Sequence, residues 1–219
     1  MRIFNRDGSE GLMAGNSIRC VGKYLHDKGI VAGDEISVET ASGIKKLRLY
    51  LTNGRVTSVT VDMGEADFDA ASLPSSLGGE IIDRPVNVAG EERRITCLSV
   101  GNPHCVIFCD RVDAVDVPRV GQIFEHADMF PDRINVEFVR VVNPTTLKMR
   151  VWERGNGETL ACGTGACAGA AAAIRLGLCR PDGDVTVKLP GGDLNVRVEN
   201  GRVLLTGDAA FVYEGEVEI

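Results

Sequence analysis

The sixteen residues from Met1 to Asn16, MRIFNRDGSEGLMAGN, return as MRVWERGNGETLACGT from Met149 to Thr164, with Met, Arg, Arg, Glu, Leu and Gly in register. The Ile3/Val151 and Phe4/Trp152 pairs keep apolar character as well. NGRV stands at Asn53 to Val56 and again at Asn200 to Val203, and GEADF at Gly64 to Phe68 is answered by GDAAF at Gly207 to Phe211. The three blocks keep their order at spacings of 148, 147 and 143 residues. Shared turn chemistry explains one NGRV but not an ordered series, so the chain reads as an internal duplication. A duplicated chain must build two like halves and bring matching positions to matching places.

Each copy carries the same coarse elements. A short strand leads into a polar turn, and a glycine step opens a helix. The first helix is expected from about Asn16 to Lys28, with Ile18, Val21, Tyr24 and Leu25 on one face and Gly29 closing it. The second is expected from about Thr164 to Leu176, closed by Gly177; its small residues read as a central helix packed closely on all sides. Strand hairpins follow both, at Ile44 to Leu51 and Val56 to Met63 around Asn53-Gly54, and at Val185 to Leu189, Leu194 to Val198 and Val203 to Thr206. The second copy is preceded by a further stretch, roughly residues 69–148, with strands near Arg93–Val100, Cys105–Phe108 and Asn135–Val141. Nothing equivalent precedes Met1, so the first copy is expected to lack its opening strands and to leave an open edge. The fold class is therefore α+β: two pseudo-symmetric domains, each a curved, mostly antiparallel sheet wrapped around a central helix, the first truncated at its N-terminus. Residues 1–60 with 208–219 are assigned to the first domain and 61–207 to the second.

Composition removes several functions. Lys plus Arg number 24 against 31 Asp plus Glu, a net charge of −7, with no basic cluster to neutralise phosphates, so a nucleic-acid partner is not expected. No apolar run reaches the ~20 residues of a membrane helix, and the opening MRIFNRDGSE is no signal segment. Seven cysteines, an odd number, read as free thiols in a reduced cytoplasm. Their spacings form no paired metal-ligand motif, and no metal is expected.

The duplication sets Ala14-Gly15-Asn16 over Cys162-Gly163-Thr164, two helix starts whose first amides have no intrahelical partner. Facing each other across a cleft they would hold an anion such as a carboxylate. A thiol at a helix start is expected to have a lowered pKa, which singles out Cys162. Cys20, Cys97, Cys105, Cys109, Cys167 and Cys179 read as small apolar fillers. His104, at the end of a turn, reads equally as an ordinary loop residue. Glu153-Arg154 reads as a surface ion pair, or through its match to Asn5-Arg6 as part of the cleft.

Several segments resemble the diaminopimelate epimerases: Phe4 to Glu10, Gly15-Asn16 with Arg19-Cys20, Gly101-Asn102-Pro103-His104, Asn135-Val136-Glu137-Phe138, and Glu153-Arg154 through Ala161-Cys162-Gly163-Thr164-Gly165. The resemblance runs in order along essentially the whole chain. It implies an isomerase without cofactor that converts LL- to meso-diaminopimelate in lysine and peptidoglycan-precursor biosynthesis. By the same resemblance Cys162 is one of two catalytic cysteines, and His104 and Glu153 orient or tune the thiols. Asn5, Gly15, Asn16, Asn102, Asn135, Glu153, Arg154, Gly163 and Thr164 bind a small amino-dicarboxylate, Arg154 by pairing with a carboxylate. The family's other cysteine falls at Ala14, whose methyl group neither donates nor accepts a proton. Alternative readings are an amino-acid-binding paralogue without turnover, a racemase of another amino acid, and, more remotely, a Cys162–His104 hydrolase. An open front edge would favour a homodimer.

Overall fold

The computed structural model describes residues 1–4, 8, 10–11 and 14–217. In chain order its elements are β1 (Ile3–Phe4), β2 (Glu10–Gly11), α1 (Gly15–Asp27), β3 (Glu35–Thr40), β4 (Gly43–Thr52), β5 (Arg55–Glu65), β6 (Arg84–Val88), β7 (Glu91–Ser99) and β8 (Pro103–Phe108). There follow α2 (Val117–Glu125), β9 (Asn135–Asn143), β10 (Thr146–Glu153), β11 (Gly157–Thr159), α3 (Gly163–Arg175), β12 (Val185–Leu189), β13 (Gly192–Glu199) and β14 (Arg202–Asp208). One open sheet runs β3-β4-β5-β14-β13-β12-β10-β9-β8-β7-β6, with β11 paired to β10. The β10–β12 and β8–β9 pairs are parallel; the rest are antiparallel. The two sheets expected from the repeat are thus continuous, joined where β5 pairs with β14 from Ser58↔Asp208 to Glu65↔Arg202. The division at 60/61 and 207/208 falls inside these two strands.

The duplication returns in the pairing of its first strands. Ile3↔Gly11 and Phe4↔Glu10 become Val151↔Thr159 and Trp152↔Glu158, each shifted by 148. The Arg2 Nε–Glu10 bond of 2.8 Å becomes Arg150 Nε–Glu158, also 2.8 Å. Both helices end in the same paired turn: Gly29 and Ile30 donate to His26 and Leu25, as Gly177 and Leu178 do to Ile174 and Ala173. Asn53-Gly54 and Asn200-Gly201 all adopt positive φ, the backbone that a two-residue hairpin turn needs.

Helix α3 lies in the curve of the sheet, touching strands β7 to β10 and β12 to β14. Every residue from Gly163 to Ala173 is buried. Glycine and alanine permit this, because a larger side chain would hold the surrounding strands away. The α1 face differs from the expected one. Its buried residues are Gly15, Ile18, Arg19 and Gly22, while Tyr24 is exposed. Gly22 sets this rotation, since a Cβ there would come within 2.9 Å of Leu47.

Strands β7 to β9 are buried on both faces. Leu98, Val106 and Val139 join the core around α3, whereas Cys97, Cys105, Ile107, Val136 and Phe138 join a second core with Phe124 and Phe130. Strand alternation therefore turns His104 on β8, and Glu137 on β9, to the α3 side. Parallel pairing sets Val106 beside Glu137 and His104 beside Asn135.

Candidate active site

The two helices meet head to head. A Cβ on Gly15 would lie 3.6 Å from the Cα of Gly163, and one on Gly163 would lie 3.4 Å from the Cα of Gly15. Leu205 on β14 presses on both, 3.0 Å from either hypothetical Cβ. The absence of side chains at both glycines suits this close approach, most tightly against Leu205, and the contact brings the positive ends of two helix dipoles together. Asn16 stitches the contact by donating to the carbonyl of Ala161 at 3.3 Å. Arg19 donates to the carbonyl of Gly15 and to Asn16 Oδ1.

Ala14 and Cys162 are the N-cap residues, both extended, with φ/ψ of −140/108° and −124/115°. Cys162 Sγ accepts the Gly165 amide at 3.3 Å and lies 3.5 Å from Thr164 Oγ1; Ala14 has no side-chain cap. From Thr164 a polar chain runs inward. Asn102 Nδ2 donates to Thr164 Oγ1 at 3.2 Å, His104 Nε2 lies 3.0 Å from Asn102 Oδ1, and His104 Nδ1 lies 2.6 Å from Glu137 Oε1. An amide oxygen only accepts, so Nε2 of His104 carries a proton. His104 and Glu137 are both completely buried, and Glu137 Oε2 has no hydrogen-bond partner among the described residues. Burial pushes the Glu137 carboxyl above its ordinary range, against the opposing pull of His104. A Cβ on Gly165 would strike Glu137 Oε1 at 2.9 Å, so this helix position must be bare for thiol and carboxyl to share the pocket.

The thiol corrects one expectation. Its place at the helix start should lower its pKa, yet burial pushes Cys162 up to about 12, with the negative charges of Glu153 and Glu137 adding to the effect. Desolvation outweighs the donated bonds of Thr164 and Gly165, and the resting group is a neutral thiol.

Thus Cys162, Gly163, Thr164, Asn102 and His104 form one connected site, with Gly15 and Asn16 on its other side. Asn135 is committed to backbone: it donates to the Pro103 carbonyl at 2.8 Å and accepts the Arg154 amide at 2.9 Å. It locks the Asn102 turn to the Glu153–Arg154 turn. Glu153 accepts from Thr159, while the exposed Arg154 guanidinium donates to the Asp132 carbonyl at 3.3 Å. Asn5 lies outside the described residues. Of the six other cysteines, Cys97, Cys105, Cys167 and Cys179 are buried, Cys109 is half-buried, and Cys20 is exposed rather than a filler. No local pattern marks Glu137 as a site residue; only the parallel β8–β9 pairing delivers it to His104. No cluster of metal-ligating groups occurs among the described residues.

Two like helices meeting end to end, the second enclosed by one curved sheet, belong to a fold shared by racemases and epimerases. A probable proline racemase from Agrobacterium radiobacter K84 superposes with a TM-score of 0.74 at 16% identity, covering 100% of this chain and 71% of that one. The chain belongs to the diaminopimelate epimerase family, whose model matches residues 1–68 and 96–212. A diaminopimelate epimerase of Acetivibrio thermocellus is 49% identical over 222 residues, and one of Desulfovibrio desulfuricans 48% over 228. Both alignments cover 100% of this chain and 79% of the relative.

Proposed function

We propose that this chain is an isomerase scaffold for the epimerisation of LL-2,6-diaminopimelate to meso-diaminopimelate without a cofactor, with Cys162 as one of the two proton-transfer positions. The observation that carries the reading is the buried thiol capping one of two facing helix starts, in a chain of this family. Inversion needs a base on one face of the α-carbon and an acid on the other. Cys162, holding its proton, is the acid: its S–H supplies the new C–H bond on its face. The first amides of α1 and α3, at Gly15-Asn16 and Gly163-Thr164, favour the α-carboxylate and the negative charge that develops as the original proton leaves. His104 and Glu153 hold the thiol's surroundings, Asn102 and Asn135 fix the substrate turn, and Arg154 pairs with a substrate carboxylate. Asn5 belongs to the same binding set. One N-cap then comes from each half, in keeping with domains of residues 1–60 with 208–219 and of 61–207.

The base is missing, because Ala14 occupies the opposite cap. The chain as it stands therefore binds the amino-dicarboxylate and turns it over slowly at best. The Ala14→Cys variant should convert LL- to meso-diaminopimelate about 10²–10⁴-fold faster, the usual contribution of a positioned acid or base. Chromatographic separation of the isomers measures this. A folded, ligand-binding Ala14→Cys protein no faster than the parent would refute the reading. The setting is cytoplasmic, with no nucleic-acid partner and with pairing to a second copy supported by β3 and β6 lying at the ends of the sheet among the described residues; no helix among the described residues is long and apolar enough to cross a membrane.

A further inference from the structure

Glu125, the last residue of α2, is a carboxylate only 2% exposed that the site described above does not use. It is fully engaged. Oε2 accepts the indole N–H of Trp152 at 2.7 Å, and Oε1 accepts the backbone amide of Gly155 at 2.9 Å. Arg133 approaches Oε1 at 3.8 Å, and His126 lies 3.9 Å from Oε2. Trp152 and Gly155 stand on either side of Glu153-Arg154, so one buried carboxylate grips both ends of the turn. The packing agrees. A Cβ on Gly121 of α2 would come within 2.5 Å of the Trp152 Cβ, and one on Gly157 within 3.5 Å of the indole ring. Helix α2 is thus seated directly on the tryptophan, and the turn wraps its ring. The loop after α2 completes the hold, since the Arg154 guanidinium donates to Asp132.

We propose that Glu125 is a positioning residue, which fixes the Glu153–Arg154 turn so that Arg154 meets a substrate carboxylate at a set angle; this rests on the amino-dicarboxylate reading of the site. Phe4 stands at the position of Trp152 in the first half, is largely exposed, and has no N–H to offer. A charge-assisted pair of bonds to one carboxylate is well suited to fixing the turn, because losing either leaves a buried acceptor unsatisfied.

The chain has one tryptophan, so its emission reports on the grip without ligand. Glu125→Gln keeps the size but sets an amide N–H₂ against one of two N–H donors. It should change the intensity and maximum of Trp152 emission in ligand-free protein. Affinity for meso-diaminopimelate, measured by calorimetry, should fall about tenfold, the scale of a misplaced charge-assisted contact. In the Arg154→Met background the same substitution should cost less than about twofold, because Glu125 acts through Arg154. An unchanged emission, or an affinity loss of equal size in both backgrounds, would overturn the proposal. If Glu125→Gln does not melt cooperatively, Trp152→Phe removes one donor alone and should weaken binding about threefold, again only when Arg154 is present; equal binding would overturn it. Should the parent bind no diaminopimelate, the functional reading falls and this proposal's substrate clause with it.

Discussion

Residue 14 and residue 162 hold the same backbone position with different chemistry. Both cap a helix from an extended backbone, and both accept the amide four residues on, Ile18 to Ala14 at 3.1 Å and Ala166 to Cys162 at 3.0 Å. Only Cys162 adds an atom that can carry a proton. The third helical residue differs in concert: Gly165 in the second half is Ser17 in the first. A Cβ at Gly165 would lie 3.3 Å from Cys162 Sγ, so a thiol at 14 would meet the Ser17 Cβ at similarly close range. A cysteine at 14 alone is therefore tighter against Ser17 than ordinary contact, and one of the two must give by a few tenths of an ångström. Ala14→Cys with Ser17→Gly should therefore epimerise about tenfold faster than Ala14→Cys alone, and equal initial rates would dismiss the coupling.

The Cys162 thiol also has a pH signature. A thiol pushed up to about 12 in the native state keeps its proton where the unfolded chain, near 8.5, has lost it. The unfolded state binds fewer protons in that window, so stability falls as pH rises from about 8.5 toward 12. Cys105 and Cys167, raised by burial as well, add to the slope. Iodoacetamide at pH 8 should modify exposed Cys20 well before Cys162. Peptide mapping that found Cys162 labelled first would contradict the buried neutral thiol.

Among the elements, the helices were the most legible part of the chain. The duplication and the closing glycines predict them at about 16–28 and 164–176, and they occupy Gly15–Asp27 and Gly163–Arg175. Strand Val185–Leu189 falls where its alternation places it. The buried face of α1 was legible only at Ile18: Tyr24, expected beside it, is exposed, and Gly15, Arg19 and Gly22 are buried instead, because Leu47 and the Gly15–Gly163 contact turn them inward. Enclosure of α3 is the element's firmest demand. Ala168 is wholly buried in it, and Ala168→Val should lower stability by about 1–3 kcal/mol in urea unfolding followed by circular dichroism. An unshifted midpoint would mean that the sheet does not close around the helix.

At the scale of the molecule, the duplication predicts two curved sheets, and pairing of β5 with β14 makes them one. That join brings the two N-caps to one place, and no local pattern announces it. The helix starts and Cys162 were visible in the repeat itself, whereas His104 and Asn102 entered through family resemblance. Glu137 and Glu125 stayed hidden, since a buried carboxylate leaves no period in a sequence and is located only by its partners.

On the proposed function, the two halves serve opposite faces of one carbon, with Cys162 on one of them. Solvent isotope incorporation tests this most directly. The Ala14→Cys variant, given LL-diaminopimelate in deuterium oxide, should release meso product carrying deuterium at the inverted carbon, while LL substrate recovered at early times stays protiated. Such an outcome follows because each thiol holds a single proton and works one face. Early deuterium in the recovered LL substrate, or product formation that survives Cys162→Ser, would contradict the account.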